Sequence, residues 1–178
     1  MDNKNDVTER IKERFIIIYD KFTRPMALSL RNSIEKANET CVVWTEDVYN
    51  RNEYKLTNRN LLVLLNEKMI KVHLANPSAK TVNYSEGVIL KHEGNTMGLT
   101  FDPSFDFLPV LDQREGKSKF IAYAQCFGWY IIPYLGPIIA SWAGYSKEKK
   151  SRTILLFEAV NKLKAETIER FLRGEQLD

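Results

Sequence analysis

The stretch 120–146, FIAYAQCFGWYIIPYLGPIIASWAGYS, holds no charged side chain, although 28% of the whole chain is Asp, Glu, Lys or Arg. Lys117 and Lys119 stand before it, and Lys147, Lys149 and Lys150 after it. A segment of this kind must be core, interface or membrane contact. Its length suits a transmembrane helix, because a bilayer core of about 30 Å takes roughly 20 apolar residues. Pro133, Gly136 and Pro137 oppose that reading, since each proline removes a backbone donor and clashes with the preceding turn. The run should therefore break near Tyr134, leaving two halves too short to span. Tyr123, Gln125, Tyr130, Tyr134 and Tyr145 supply polar groups that suit a buried helical hairpin. A hairpin lying in a membrane surface is the alternative, with both lysine clusters on one side as the positive-inside rule requires.

A chain of 178 residues is the size of one domain, 1–178, and can bury most of its apolar surface without staples. The formal charge of +3 is too mild for a protein that coats polyanions. Cys41 and Cys126 lie far apart without metal-ligand spacing, and read as small buried hydrophobes in a reducing compartment. The opening residues MDNKNDVTERIKERF alternate charges where a signal peptide needs a basic start and an apolar centre. A cytoplasmic protein is expected. The wealth of Asn and Lys suits an AT-rich genome such as that of a low-GC bacterium or its phage.

Periodicity predicts an N-terminal helical pair within 1–40. Asp6 and Glu9 resemble a capping box, and Val7, Ile11, Phe15, Ile18 and Phe22 form a helical stripe, with Ile16, Ile17 and Tyr19 adding apolar surface off it. Pro25 fits the first turn of a second helix carrying Met26, Leu30, Ile34 and Ala37. From Cys41 the composition turns β-branched and aromatic, and CVVWT predicts a strand that VYNRNEYK continues at the surface. NLLVLLNEKMIKVHLA reads as a hairpin with a single helix as the alternative, closed by Asn76 and Pro77. A strand from Val82 to Leu90 then turns through Gly94 and Asn95, both suited to positive φ, into MGLTF. The expected class is α+β, with an antiparallel sheet over 41–101 flanked by the helical pair and C-terminal helices. Pro103, Pro109 and Gly116 mark 102–118 as a loop displaying Phe105, Phe107 and Leu108. After the uncharged stretch of 119–146, segment 147–178 predicts a helix capped by Ser146 or Ser151. Its buried side is Leu156, Val160, Leu163, Ile168 and Phe171, and Gly174 ends it.

Chemistry-bearing clusters are sparse. Asp102, Asp106, Asp112 and Glu115 put carboxylates in one loop, and a pair of carboxylates can hold Mg²⁺, but nothing supplies the rest of a site. Glu53-Tyr54-Lys55 with Asp47 matches the ExK of a metal-dependent nuclease core, over only three residues. His73 and His92 stand apart in predicted strands and read as hydrogen-bonded structural residues. Arg10, Arg14, Lys21, Arg24, Arg31 and Lys36 would meet nucleic-acid phosphates if they shared a face, but Glu9, Glu13, Asp20 and Glu35 are interleaved with them. No phosphate loop or nucleophile motif occurs, so neither enzymatic activity nor a cofactor or metal is expected.

The aromatic residues point elsewhere. Phe120, Tyr123, Phe127, Trp129, Tyr130, Tyr134, Trp142 and Tyr145 crowd the uncharged run, and such rings dominate interface energetics. The expected function is a small binding or regulatory protein that contacts another protein or forms a homo-oligomer through these residues. Two alternatives are a peripheral membrane protein using the same run and a DNA-binding regulator using the helical pair.

Overall fold

The computed structural model describes residues 10–107, 110 and 147–175. Strand β1, Phe15–Tyr19, is flanked by a strand on each side, and its residues Phe15, Ile16, Ile17 and Ile18 are each 0% exposed. Unbroken apolar sequence is what a strand covered on both faces requires, since alternate side chains point to opposite sides. Phe15 and Ile17 enter one core, Ile16 and Ile18 the other. The helix expected on the stripe Ile11, Phe15, Ile18 and Phe22 is therefore corrected to a strand. Val7 and the capping pair Asp6 and Glu9 lie outside the described residues.

Helix α1, Arg24–Lys36, follows with Pro25 in its first turn as expected. Strand β2, Cys41–Thr45, also matches its expectation. The continuation does not, because Glu46–Asn52 forms helix α2 and Glu53–Lys55 a single 3-10 turn. Thr45 caps α2, its side chain accepting the N–H of Val48 at 3.4 Å. Strand β3 is Leu61–Leu64 and helix α3 is Glu67–His73, so the expected hairpin is a strand and a helix. Asn66 makes the joint by accepting the N–H groups of Lys68 and Met69, a standard helix start. Strands β4, Lys80–Ser85, β5, Val88–Glu93, and β6, Thr96–Phe101, complete the sheet. Gly94 turns β5 into β6 at φ 56, whereas Asn95 does not share the positive φ expected of it.

The strand order is β2-β1-β3-β6-β5-β4. β1 is parallel to β2 and β3, and β3 is parallel to β6, while β5 runs antiparallel to both β6 and β4. The expected α+β class with an antiparallel sheet over 41–101 is thus overturned. The protein is α/β, with helices interleaved between mostly parallel strands and C-terminal helices added. Its crossover helices α2 and α3 have 7 residues each, less than two turns' worth of clear periodicity.

Residues of α1 join helices α4, Lys147–Lys162, and α5, Ala165–Leu172, in the core that includes Phe15 and Ile17. Residues of α2 and α3 form the core on the other face, around Ile16 and Ile18. The single C-terminal helix expected is two, separated at Leu163 and Lys164. Its predicted buried side, Leu156, Val160, Leu163, Ile168 and Phe171, is buried, and Gly174 ends it at φ 79. Ser151 is interior to α4 and fully buried.

Candidate functional site at the carboxyl edge of the sheet

Because β1, β2, β3 and β6 are parallel, their carboxyl ends emerge along one edge. β1 leads to α1 on one face and its neighbour β3 leads to α3 on the other, so the connections change side between their ends. Crevices at such reversals are where open α/β sheets bind ligands. Here the polar side chains hold their own loops. Asp20 Oδ1 accepts the N–H groups of Phe22 at 2.8 Å and Thr23 at 3.0 Å, and the Thr23 hydroxyl at 3.2 Å. The Thr23 hydroxyl oxygen in turn accepts the Asp20 N–H at 3.0 Å. Asn66 is committed to α3, and Lys68 ties the start of α3 to Glu46 of α2 at 2.6 Å. The edge offers outward two large apolar side chains, Phe22 after β1 at 47% exposure and Val48 after β2 at 37%, among the exposed charges of Lys21, Asp47, Glu67 and Lys68; Lys21 Nζ lies 4.8 Å from the Phe22 ring centre.

The fourth parallel strand roots the uncharged run. Past Phe101, Asp102 closes a turn by accepting the N–H and hydroxyl of Ser104 at 2.8 and 2.6 Å, which holds its carboxyl below the ordinary range. Phe107 then packs edge-on against Phe101 at 5.5 Å and Phe105 at 5.0 Å. Gly87 makes room for this cluster, since a Cβ there would stand 2.7 Å from Phe105 Cδ1. The expected display of Phe105 and Phe107 is corrected: Phe107 is buried and Phe105 half-buried. Leu108 lies outside the described residues. Arg152, in the second turn of α4, lays its guanidinium 5.2 Å from the Phe101 ring centre and 4.7 Å from that of Phe107. It is also held by Glu148 at 2.6 Å. The chain leaving β6 and the chain entering α4 therefore meet at the carboxyl end of β6. The eight aromatic residues Phe120, Tyr123, Phe127, Trp129, Tyr130, Tyr134, Trp142 and Tyr145 lie between these anchors, outside the described residues.

The remaining candidates are dispersed. Glu53 accepts the Tyr49 hydroxyl at 2.9 Å, Lys55 lies 5.5 Å over the Tyr54 ring, and Asp47 is in the first turn of α2. Asp112 and Glu115 lie outside the described residues, among which no group of three His, Cys, Asp or Glu side chains is gathered to hold a metal ion. His73 sits on helix α3 rather than a strand, edge-on to Tyr49 at 5.4 Å. His92 is in β5 as expected but is not fully hydrogen-bonded, for its Nδ1 is buried without a partner. With 15–19 a strand, the expected helical pair is absent and its basic residues are split between α1 and the flanks of β1. Arg14 is paired with Glu39 at 3.0 Å and Glu169 at 3.1 Å, and Arg31 with Glu35 at 2.6 Å.

An open depression of about 440 Å³ lies at the opposite, amino edge, lined by Lys12, Glu13, Glu35, Asn38, Glu39, Thr40 and Cys41. Burial pushes the Cys41 thiol up to about 12, which leaves it protonated and unreactive near neutrality. Cys126 lies outside the described residues. Among those residues no helix is long and apolar enough to cross a membrane. No family model, no curated protein and no solved structure matches the chain.

Proposed function

We propose that this α/β protein is a small non-enzymatic binding or regulatory protein of the cytoplasm, recognising another protein or a second copy of itself. Its recognition surface combines the carboxyl edge of the sheet with the aromatic run 120–146. One observation carries this reading: Arg152 joins the two ends of the excursion by stacking on Phe101 and Phe107 at the end of β6. Strands lie about 4.8 Å apart, so the ends of β1 and β2 are roughly 10 and 15 Å from that root. A segment of this length reaches them easily. Exposed Phe22 and Val48 would then extend the apolar surface, and Trp and Tyr side chains supply the contact energy.

Light scattering during size exclusion, together with flotation on anionic liposomes, tests the proposal. Self-association should weaken when Trp129 and Trp142 are both replaced by Ser, since interface aromatics commonly cost about 2 kcal/mol or more on truncation. A protein that floats with lipid, and stops floating in that double variant, belongs to the membrane reading instead. A chain that stays monomeric at high concentration and captures no protein partner through these residues would sink the proposal.

A further inference from the structure

We propose that α5 is an acid-released latch, held on the sheet while His92 is neutral and let go when its imidazole is protonated. His92 lies on β5 with only 8% exposure, its ring edge-on to Phe171 of α5 at 4.6 Å. Its Nδ1 is buried and without a partner, so the neutral ring leaves an acceptor unused and a protonated ring would leave a donor unmet. Lys80 stands directly opposite on β4 and adds a like charge to a protonated ring. Burial first, and Lys80 second, hold the imidazole below its ordinary range.

The nearby carboxylates of β5 and of the α5 segment are mostly engaged elsewhere. Glu169 of α5 is turned to Arg14, Glu175 to Arg170 and Arg173, and Glu93 of β5 to Asn76 and Ser78. Glu166 of α5 is exposed. From β6 the residue paired with His92 is the apolar Met97. On α4, which also packs on β5, Glu158 is the one carboxylate between Ser151 and Lys162, and Arg152 is spent on Phe101 and Phe107.

α5 is a short, separate unit of the fold. α5 has 8 residues, follows a break at Leu163 and Lys164, and docks through Ala165, Ile168 and Phe171. The energetic direction follows from linkage. A histidine whose pKa is lowered in the docked state keeps its full contribution above about 6.5, and loses it as pH falls below that value. Release would uncover Ile168, Phe171 and the β5 face beneath them.

Amide hydrogen exchange on the full chain, corrected for intrinsic rates, reads the latch. Between about pH 7.5 and pH 5, protection of the α5 amides should fall roughly 3- to 30-fold, the upper bound set by an ordinary imidazole titrating near 6.5. Amides of α1 serve as the internal control and should not follow. In His92→Gln the α5 change should vanish. Unchanged α5 protection in the wild type, or the same fall in His92→Gln, overturns the proposal. If that variant does not fold, the wild-type imidazole followed by NMR decides. A ring pKa at or above the ordinary value, or an α5 midpoint that departs from the ring's own titration, overturns it equally.

Discussion

Gly98 of β6 lies so close under Ile70 of α3 that a Cβ at position 98 would stand 2.7 Å from Ile70 Cγ1. Leu74 Cδ1 would be 3.1 Å away, so α3 rests on bare backbone where it crosses the sheet. Gly98→Ala must push α3 outward, and overpacking of this kind costs about 1–3 kcal/mol. The expected outcome is a lower urea midpoint at unchanged slope. An unchanged midpoint would mean that α3 slides freely over β6.

Strand β1 makes a prediction that a helix could not. Both Ile16 and Ile17 are fully buried, on opposite faces, so Ile16→Ala and Ile17→Ala should each cost about 2–5 kcal/mol. Phe22→Ala, at an exposed position, should stay within about 0.5 kcal/mol. A helix with the stripe Phe15, Ile18 and Phe22 would reverse the ranking of Ile16 and Phe22. Chemical denaturation of the three variants separates the two patterns.

Asn60 is buried and its side chain carries four hydrogen bonds. Its Oδ1 accepts the Thr57 N–H at 2.6 Å and the Thr57 hydroxyl at 3.0 Å, while its Nδ2 donates to the Glu13 carbonyl at 2.7 Å and the Ile11 carbonyl at 3.4 Å. That amide pins the entry of β1 to the entry of β3. Stranding a buried partner costs about 1–3 kcal/mol, so Asn60→Ala should lose at least about 2 kcal/mol. Asn60→Asp should be no better, because a carboxylate would face two carbonyls. Exposed Asn58→Ala is the control, expected within about 0.5 kcal/mol by thermal melting.

Cys41 contributes to the alkaline limit, together with Tyr49 and Tyr84, whose hydroxyls burial also raises. Its thiol is raised from 9.0 to about 12, chiefly by burial, so the folded chain holds this proton more tightly than the unfolded one. The resulting stabilisation is complete below about 9 and is lost as pH climbs towards 12. Alkylation at about pH 8, mapped to Cys41 by mass spectrometry, should be slow, because the thiol stays protonated there and little of it is exposed. Rapid labelling of the native protein would contradict the burial.

The sequence made some elements plain and hid others for identifiable reasons. Helix α1 was legible from Pro25 and its stripe, β2 from CVVWT, and the β5–β6 turn from Gly94. β1 reads as helical because FIIIY, buried on both faces, lacks the alternation of an antiparallel strand and extends a helical stripe by coincidence of spacing. Parallel pairing of β1 with β2, across α1, is hidden because β1 reads as a helix, and that of the later strands because α2 and α3 are too short to announce a crossover. Their caps, Thr45 and Asn66, were the available signal, each standing just before an acidic first turn. Of the candidate site, the aromatic run was conspicuous. The meeting of its two ends was not, because nothing in one dimension places Arg152 on Phe101.

The order of strands has a consequence during synthesis. β1 is made before the partners on both its sides, and β3 must wait for Leu62 to meet Thr96. Non-local parallel pairing is slow relative to the β4–β5–β6 meander, whose neighbours are joined by turns at Gly87 and Gly94. β1, wholly buried from Phe15 to Ile18 in the fold, thus emerges before either partner, as a short β-prone segment of the kind that seeds aggregation. A chain truncated after His73 is expected to sediment with insoluble material where the 178-residue chain does not. Arg14 and Asp20 flank β1 in sequence as charged gatekeepers, so the pair that later anchors loops in the fold also guards the growing chain.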